Sequence, residues 1–245
     1  MVDERKMIYG FVQERLRELK DNPDESIVRA QLAKMRRGVG EQPGTSPELW
    51  GILFQNFPEP LEGKGNQPGR AEVAIYMALT LYAMHQQSRS LRDENVNQPE
   101  IGFGQAVGML VLKNPDSLEA VRRRFNATAL AADIVELAWH MKGMVQLFRQ
   151  KEVGLDYGQI AIDFYDYQIL DQMPGVLLKW GRDFYRSCSK KNEMEEKENG
   201  TYLFLSKKDN GVVFEYKVDI LDESFNLSYV HITANNDTFH IDFDN

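Results

Sequence analysis

From residue 4 to about residue 189, apolar positions recur at helical spacing with few breaks. Ile8, Phe11, Val12, Leu16 and Leu19 make one stripe, and a second helix runs from Glu25 to Arg37 and stops at Gly38. In TSPELWGILFQNF, Ser46 is the expected N-cap and Pro47 the first helical residue. A loop rich in Pro and Gly, residues 58–69, precedes a helix over 71–87 that is apolar around most of its circumference and is therefore expected at the centre of the fold. Further helices are predicted over 103–112, 115–131, 133–150, 155–170 and 174–189, with Pro115 and Pro174 near helix starts, where a missing N–H costs nothing.

The pattern changes after Ser189. SKKNEMEEKENG reads as a charged connector, and TYLFLSKK, VVFEYKVDIL, LSYVHIT and TFHIDFD are rich in β-branched and aromatic residues. They are separated by DNG, DESFN and ANND, and Asp-Asn-Gly is a strong hairpin signal. The expected fold class is mainly α. An all-α domain covers 1–190, a charged linker 191–200, and an acidic four-stranded antiparallel β meander 201–245.

Composition, 42% hydrophobic and 27% charged, is that of a chain able to bury a real core. The net charge of -8 is unevenly placed: residues 192–245 hold four lysines against twelve acids, which leaves 1–191 neutral. The first twenty residues hold no secretory apolar core. The longest apolar stretch, 73–84, is well short of the roughly 20 residues that span a bilayer. The single cysteine, Cys188, excludes an internal disulfide, so a cytoplasmic protein with no membrane partner is expected.

No catalytic constellation emerges. RGVGEQPG follows a helix rather than a strand, and EGKGNQPG lacks the Ser or Thr that a phosphate-cradling loop carries after its lysine. His85, His140, His231 and His240 are scattered, and His85 at the end of an apolar helix reads as a structural hydrogen-bonder. Cys188, in the last turn of its predicted helix, meets a dipole that raises its pKa. Asp163 and Asp166 share a helix face, where two solvated carboxylates outweigh a metal site. No metal, no cofactor and no enzymatic activity are expected.

The basic clusters carry more. With Val28 and Met35 toward the core, Arg29 and Arg36 fall on one flank of their helix, Arg37 points away and Lys34 lies opposite. In LEAVRRRFNATAL the core side is set by Leu118, Val121, Phe125 and Ala129. Arg123 then points outward, Arg124 lies on a flank, and Arg122 lies nearest the buried side, where it packs and pairs with an acid. Such clusters on a neutral helical domain suit two roles, tracking a phosphate backbone without base reading or docking an acidic protein.

Four stretches together bear a family likeness: AKMRRGVGEQPG; AEVAIYMALTLYAMHQQ with IGFGQAV; VRRRFNATALAADIVELAWHMKGMVQLFRQKEVGLDYGQIAIDFYDYQ; and VLLKWGRDFY. In this order, over roughly residues 5–190, the chain resembles the CasB-type small subunit of the type I-E CRISPR surveillance complex, Cascade. The resemblance implies a non-catalytic all-α subunit present in two copies, partnered by other Cascade subunits, CRISPR RNA and the displaced single strand of target DNA. Its basic residues would contact nucleic-acid backbone and stabilise the R-loop, while cleavage belongs to a separately recruited helicase–nuclease. By position the contacts implied are Arg36, Arg37, Arg122, Arg123, Lys142 and Arg149. Lys142 stands where the family commonly has Arg, which keeps the charge and loses bidentate geometry.

The tail lies outside the resemblance. Three readings stay open for it: a module that docks on a neighbouring subunit, a nucleic-acid mimic that masks the basic face, or a solubility or fusion addition. The alternative for the whole chain is a helical scaffold that binds an acidic protein and never meets nucleic acid.

Overall fold

A computed structural model describes residues 3–198 and the backbone segments 201–209, 212–221, 224–234 and 237–242, with side chains described as far as residue 188. The turns expected between the predicted strands, at 210–211, 222–223 and 235–236, lie outside the described residues. The chain divides into two compact units, Met1–Cys188 and Ser189–Asn245.

The first unit is helical. Its α-helices are α1 (Glu4–Asp21), α2 (Glu25–Arg37), α3 (Trp50–Phe54), α4 (Arg70–His85), α5 (Phe103–Lys113), α6 (Leu118–Ala129), α7 (Ile134–Lys151), α8 (Tyr157–Tyr167) and α9 (Met173–Glu198). The expected central helix is α4: every residue from Ala74 to His85 is buried, and α1, α2, α7 and α8 pack around it. Its hydroxyl-bearing Thr80 is satisfied by its own helix, donating to the carbonyls of Tyr76 (2.9 Å) and Met77 (3.1 Å).

Helix α2 starts where Asp24 accepts from the backbone N–H groups of Ser26 and Ile27, and it ends at Gly38 as expected. The reason for that glycine is different from the one a helix end suggests. Its φ is -75°, open to any residue. Tyr76 of α4 donates to the Gly38 carbonyl at 2.9 Å, and a Cβ at Gly38 would meet the Tyr76 hydroxyl at 2.5 Å. The glycine lets α2 close on α4.

Three local expectations change. The stretch opening at Ser46 is a 3-10 turn, Pro47–Leu49, followed by the short α3, and the Ser46 side chain makes no capping bond. On α6 the buried arc is Val121, Phe125 and Thr128, while Leu118 is 37% exposed and Ala129 half-buried. Thr128 takes the inner position because its hydroxyl donates to the Arg124 carbonyl at 2.9 Å, so a polar residue sits inside without an orphaned group. Helix α9 continues past the predicted end at 189 to Glu198, because the connector holds good helix formers and neither Gly nor Pro before Gly200.

Helices α5 and α9 meet backbone to backbone. Phe103 lies edge-on to Trp180 with ring centroids 4.7 Å apart, and Phe125 stacks obliquely on Phe184 at 5.1 Å. Between them Gly104 faces the Trp180 backbone so closely that an added Cβ would overlap its carbonyl oxygen, and Gly108 faces Ser187 and the Phe184 carbonyl. Gly143 on α7 faces open space. The same Gly→Ala change should therefore have opposite signs at two sites. Gly143→Ala is expected to stabilise by about 0.5–1 kcal/mol through helix propensity. Gly104→Ala is expected to destabilise by about 1–3 kcal/mol, the overpacking outweighing the propensity gain. Urea unfolding of the two variants beside the parent checks both signs.

Candidate nucleic-acid interface

Helix α4 leaves the core at His85, whose Nδ1 lies 3.0 Å from the buried Tyr157 hydroxyl. Burial first, and then the nearby charges of Arg89 and Arg149, push the His85 imidazole down to about 3, so it is neutral in the folded protein. The next residue, Gln86, is almost fully buried and organises the following loop. Its amide donates to the carbonyls of Arg89 (3.4 Å), Ser90 (3.1 Å) and Glu94 (3.1 Å), and its oxygen accepts from the Val96 N–H at 2.9 Å. Ser88 takes a left-handed φ of 66°, which turns the chain outward. One buried side chain thus fixes the loop that carries Arg89 and Arg92.

Two cavities adjoin this loop and share Gln87, Ser88 and Arg89 on their walls. The first, about 520 Å³, lies between the loop, the end of α1 and α2, and its cations are Lys20, Arg29, Arg36, Arg89 and Arg92. The second, about 660 Å³, lies between the loop and the end of α7, where Arg149 faces it together with Glu94 and Glu152. Arg149 donates to the Gln87 side-chain oxygen at 3.1 Å, and Arg89 donates to the Arg149 carbonyl at 2.8 Å. Burial lowers the pKa of the Arg36 guanidinium, and the positive charge of Arg149 adds to that lowering. Among the described residues Lys20, Arg36, Arg92 and Arg149 enter no ion pair. Glu25 pairs with Arg29 at 3.0 Å and Glu152 with Arg89 at 3.9 Å, so the cations left unpaired at the two cavities are the candidates to attract an anion.

The structure brings Arg36 and Arg149 together, 113 positions apart in sequence, and separates the other sequence-derived candidates from them. Arg36 and Arg37 do not stand side by side. Arg37 turns to the opposite flank and forms an exposed pair with Glu48 at 3.0 Å, because successive residues on a helix diverge by about 100°. Arg122 is half-exposed and paired with Glu119 at 2.8 Å, and Arg123 is exposed on α6. Lys142 is exposed on α7, two turns before Arg149 and on the same face. None of Arg37, Arg122, Arg123 and Lys142 lines either cavity. Sequence reasoning missed Lys20, Arg89 and Arg92. The available signal was two arginines three positions apart in QQSRSLRD, directly after the most apolar helix.

The Asp163–Asp166 pair is corrected. Asp163 is not solvated but 3% exposed, accepting from Trp180 Nε1 (2.7 Å), Gln159 Nε2 (2.8 Å) and Lys179 Nζ (3.3 Å), and burial pushes its carboxyl up. Asp166 pairs with Arg5 at 2.8 Å. Among the described residues no group of three or more His, Cys, Asp or Glu is placed to hold a metal ion. Cys188 does not lie in a last turn as expected, because α9 runs on to Glu198, and it is burial that raises its thiol. No helix among the described residues is long and apolar enough to cross a membrane.

The first unit is thus a helical domain with a cluster of cations at the edge where α4 ends. The chain belongs to the CRISPR-associated Cse2 family, whose model matches residues 31–185. It is similar to CasB from Thermobifida fusca, with 32% identity over 73% of this chain and 98% of that one and a TM-score of 0.60. The fold is shared with CasB from M. ruber, at 22% identity over 75% of this chain and 97% of that one with a TM-score of 0.55. It is shared too with a chain of a CRISPR RNA-guided surveillance complex, at 19% identity over 78% and 99% with a TM-score of 0.59. No protein with a curated description matched the chain.

The depressed His85 sets a pH dependence. Unfolding exposes an imidazole of ordinary pKa near 6.5, so below that value the unfolded state binds a proton that the folded state refuses down to about 3. Stability contributed by neutral His85 is complete above pH 6.5 and falls as pH drops, by at most about 1.4 kcal/mol per unit. Urea unfolding between pH 7.5 and 5 should show this slope in the parent and a shallower one in His85→Gln.

Proposed function

We propose that the protein is a non-catalytic subunit of a type I-E CRISPR RNA-guided surveillance complex. In this role it holds nucleic-acid backbone and stabilises the displaced DNA strand of the R-loop. Its partners are then the other Cascade subunits, CRISPR RNA, target DNA and a second copy of itself. The observation that carries the reading is that Arg36 feels the like charge of Arg149 and that, among the described residues, neither enters an ion pair, although Glu25 lines the first cavity and Glu94 and Glu152 the second. Membership of the Cse2 family supports it, as does a fold shared with a chain of a surveillance complex.

The mechanism is electrostatic. Each phosphate that replaces a counterion at these guanidiniums releases that ion to solvent, and the gain does not depend on base identity. Exchange of a DNA duplex for an RNA–DNA hybrid is nearly balanced in free energy, so a modest hold on the displaced strand tips it. Lys142 and Arg123, exposed on α7 and α6, extend the basic surface beyond the cavities. Arg37 and Arg122 contribute less, since each must first give up its acidic partner.

The strand segments Thr201–Asp209, Val212–Leu221, Ser224–Ala234 and Asp237–Asp242 pair in sequence order as one antiparallel sheet, which supports a separate β module after α9. With twelve acids against four lysines from residue 192 onward, this module suits docking on a basic partner surface or masking of the cationic groove. Ending the chain after residue 191 should raise single-stranded DNA affinity at least tenfold if the tail masks, and leave it unchanged if the tail docks elsewhere.

Single-stranded DNA binding across a salt series tests the main reading. Arg36→Ala and Arg149→Ala should each weaken binding alike on all sequences and reduce the salt slope by about 0.7, and Arg37→Ala should do less. A double Arg36→Ala/Arg149→Ala variant that binds like the parent overturns it, and points to an acidic protein as the ligand of this edge.

A further inference from the structure

The first cavity has two kinds of wall. Arg36, Arg89 and Arg92 bring cations to its lining, with Lys20 and an Arg29–Glu25 pair, while Leu19, Val28 and Leu32 from α1 and α2 and Leu91 from the loop bring apolar surface. A phosphate chain has no use for the apolar side, since donors alone hold phosphate oxygens. The volume, 520 Å³, lies within the range of about 300–1,000 Å³ typical of small-ligand pockets. The second cavity, by contrast, is walled almost wholly by polar and charged residues.

The geometry points to a seat for one nucleobase: a base turned out of the single strand lies against Leu32 and Leu91 while its flanking phosphates rest on Arg36 and Arg89. A base presents an apolar face and a polar edge, and Asn22 and Ser88 offer polar atoms at the cavity wall. No aromatic ring lines the cavity, so the base gains by leaving water rather than by stacking, and the seat accepts any base of fitting size. This rests on the proposal that the groove binds single-stranded DNA and adds to it that binding depends on the presence of bases, although not on their order. The strand is thereby pinned at one nucleotide, where a purely electrostatic track would let it slide.

A comparison that holds charge constant tests this. The full-length chain is titrated with oligo-dT and with an abasic strand of equal length whose sugars are tetrahydrofuran. The thymine strand should bind about tenfold tighter, with the same salt slope for both. Leu91→Asn, which makes the loop part of the lining polar at constant charge, should lower that preference. Equal binding of the two strands by the parent protein overturns the seat and leaves the backbone-holding reading in place. A preference unchanged in Leu91→Asn overturns this cavity as its location. Failure of both strands to bind, to the full-length chain and to the chain ended after residue 191, overturns both proposals together.

Discussion

The burial of α4 on every side is the constraint from which the rest of the fold follows. A helix with no solvent face satisfies its own backbone and tolerates polar side chains only where they find internal partners. Thr80 bonds back into its own helix, His85 meets Tyr157, and Gln86 gathers four backbone groups of the next loop. The last two residues sit where the helix leaves the core. The same requirement that closes the hydrophobic interior therefore sets the position of Arg89 and Arg92 at its rim.

Charge is divided between inside and edge. Asp156 is buried as the N-cap of α8 and accepts from Tyr9 (3.2 Å), Gln13 (3.1 Å) and the Glu100 N–H (3.1 Å), tying α1 and the 97–101 segment to α8. Asp163 does the same between α8 and α9 through Trp180 and Lys179. Each buried carboxylate is surrounded by donors, as the cost of burying a bare charge requires. At the groove the situation is reversed, and Arg36 and Arg149 are half-buried and, among the described residues, enter no ion pair. The architecture thus holds its acids where they build and leaves cations where a ligand arrives.

The helices were legible in the sequence because a 3.6-residue period survives any tertiary arrangement. The central position of α4 was legible because only a buried helix is apolar all round. Other features depend on contacts that no period records. Thr128 displaces Ala129 from the α6 core side through one internal hydrogen bond, and Gly38 is required by Tyr76 rather than by a helix end. The candidate site was half legible. Arg36 and Arg149 came from family-like motifs, whereas the two cavities they line are assembled from the loop after α4 with α1 and α2 in one case and with α7 in the other. Residues so distant in sequence share no pattern, whereas the divergence of Arg36 and Arg37 was legible because the helical period alone splits neighbours apart.

On the proposed reading residues 1–191, neutral in sum, attract a polyanion through the arrangement of their charges rather than their total. At physiological ionic strength the field of an exposed charge fades over about 8 Å, so acids paired at Glu48 or Glu119 do little to cancel cations across the molecule. What a phosphate would meet is the local set, and among the described residues Arg36, Arg149 and Arg92 enter no ion pair. Holding such cations together costs folding free energy, which a bound anion returns. On the proposed reading, occupation of the groove and stability of the loop at the end of α4 are one equilibrium, because guanidiniums that repel one another when the groove is empty would share a phosphate when it is filled.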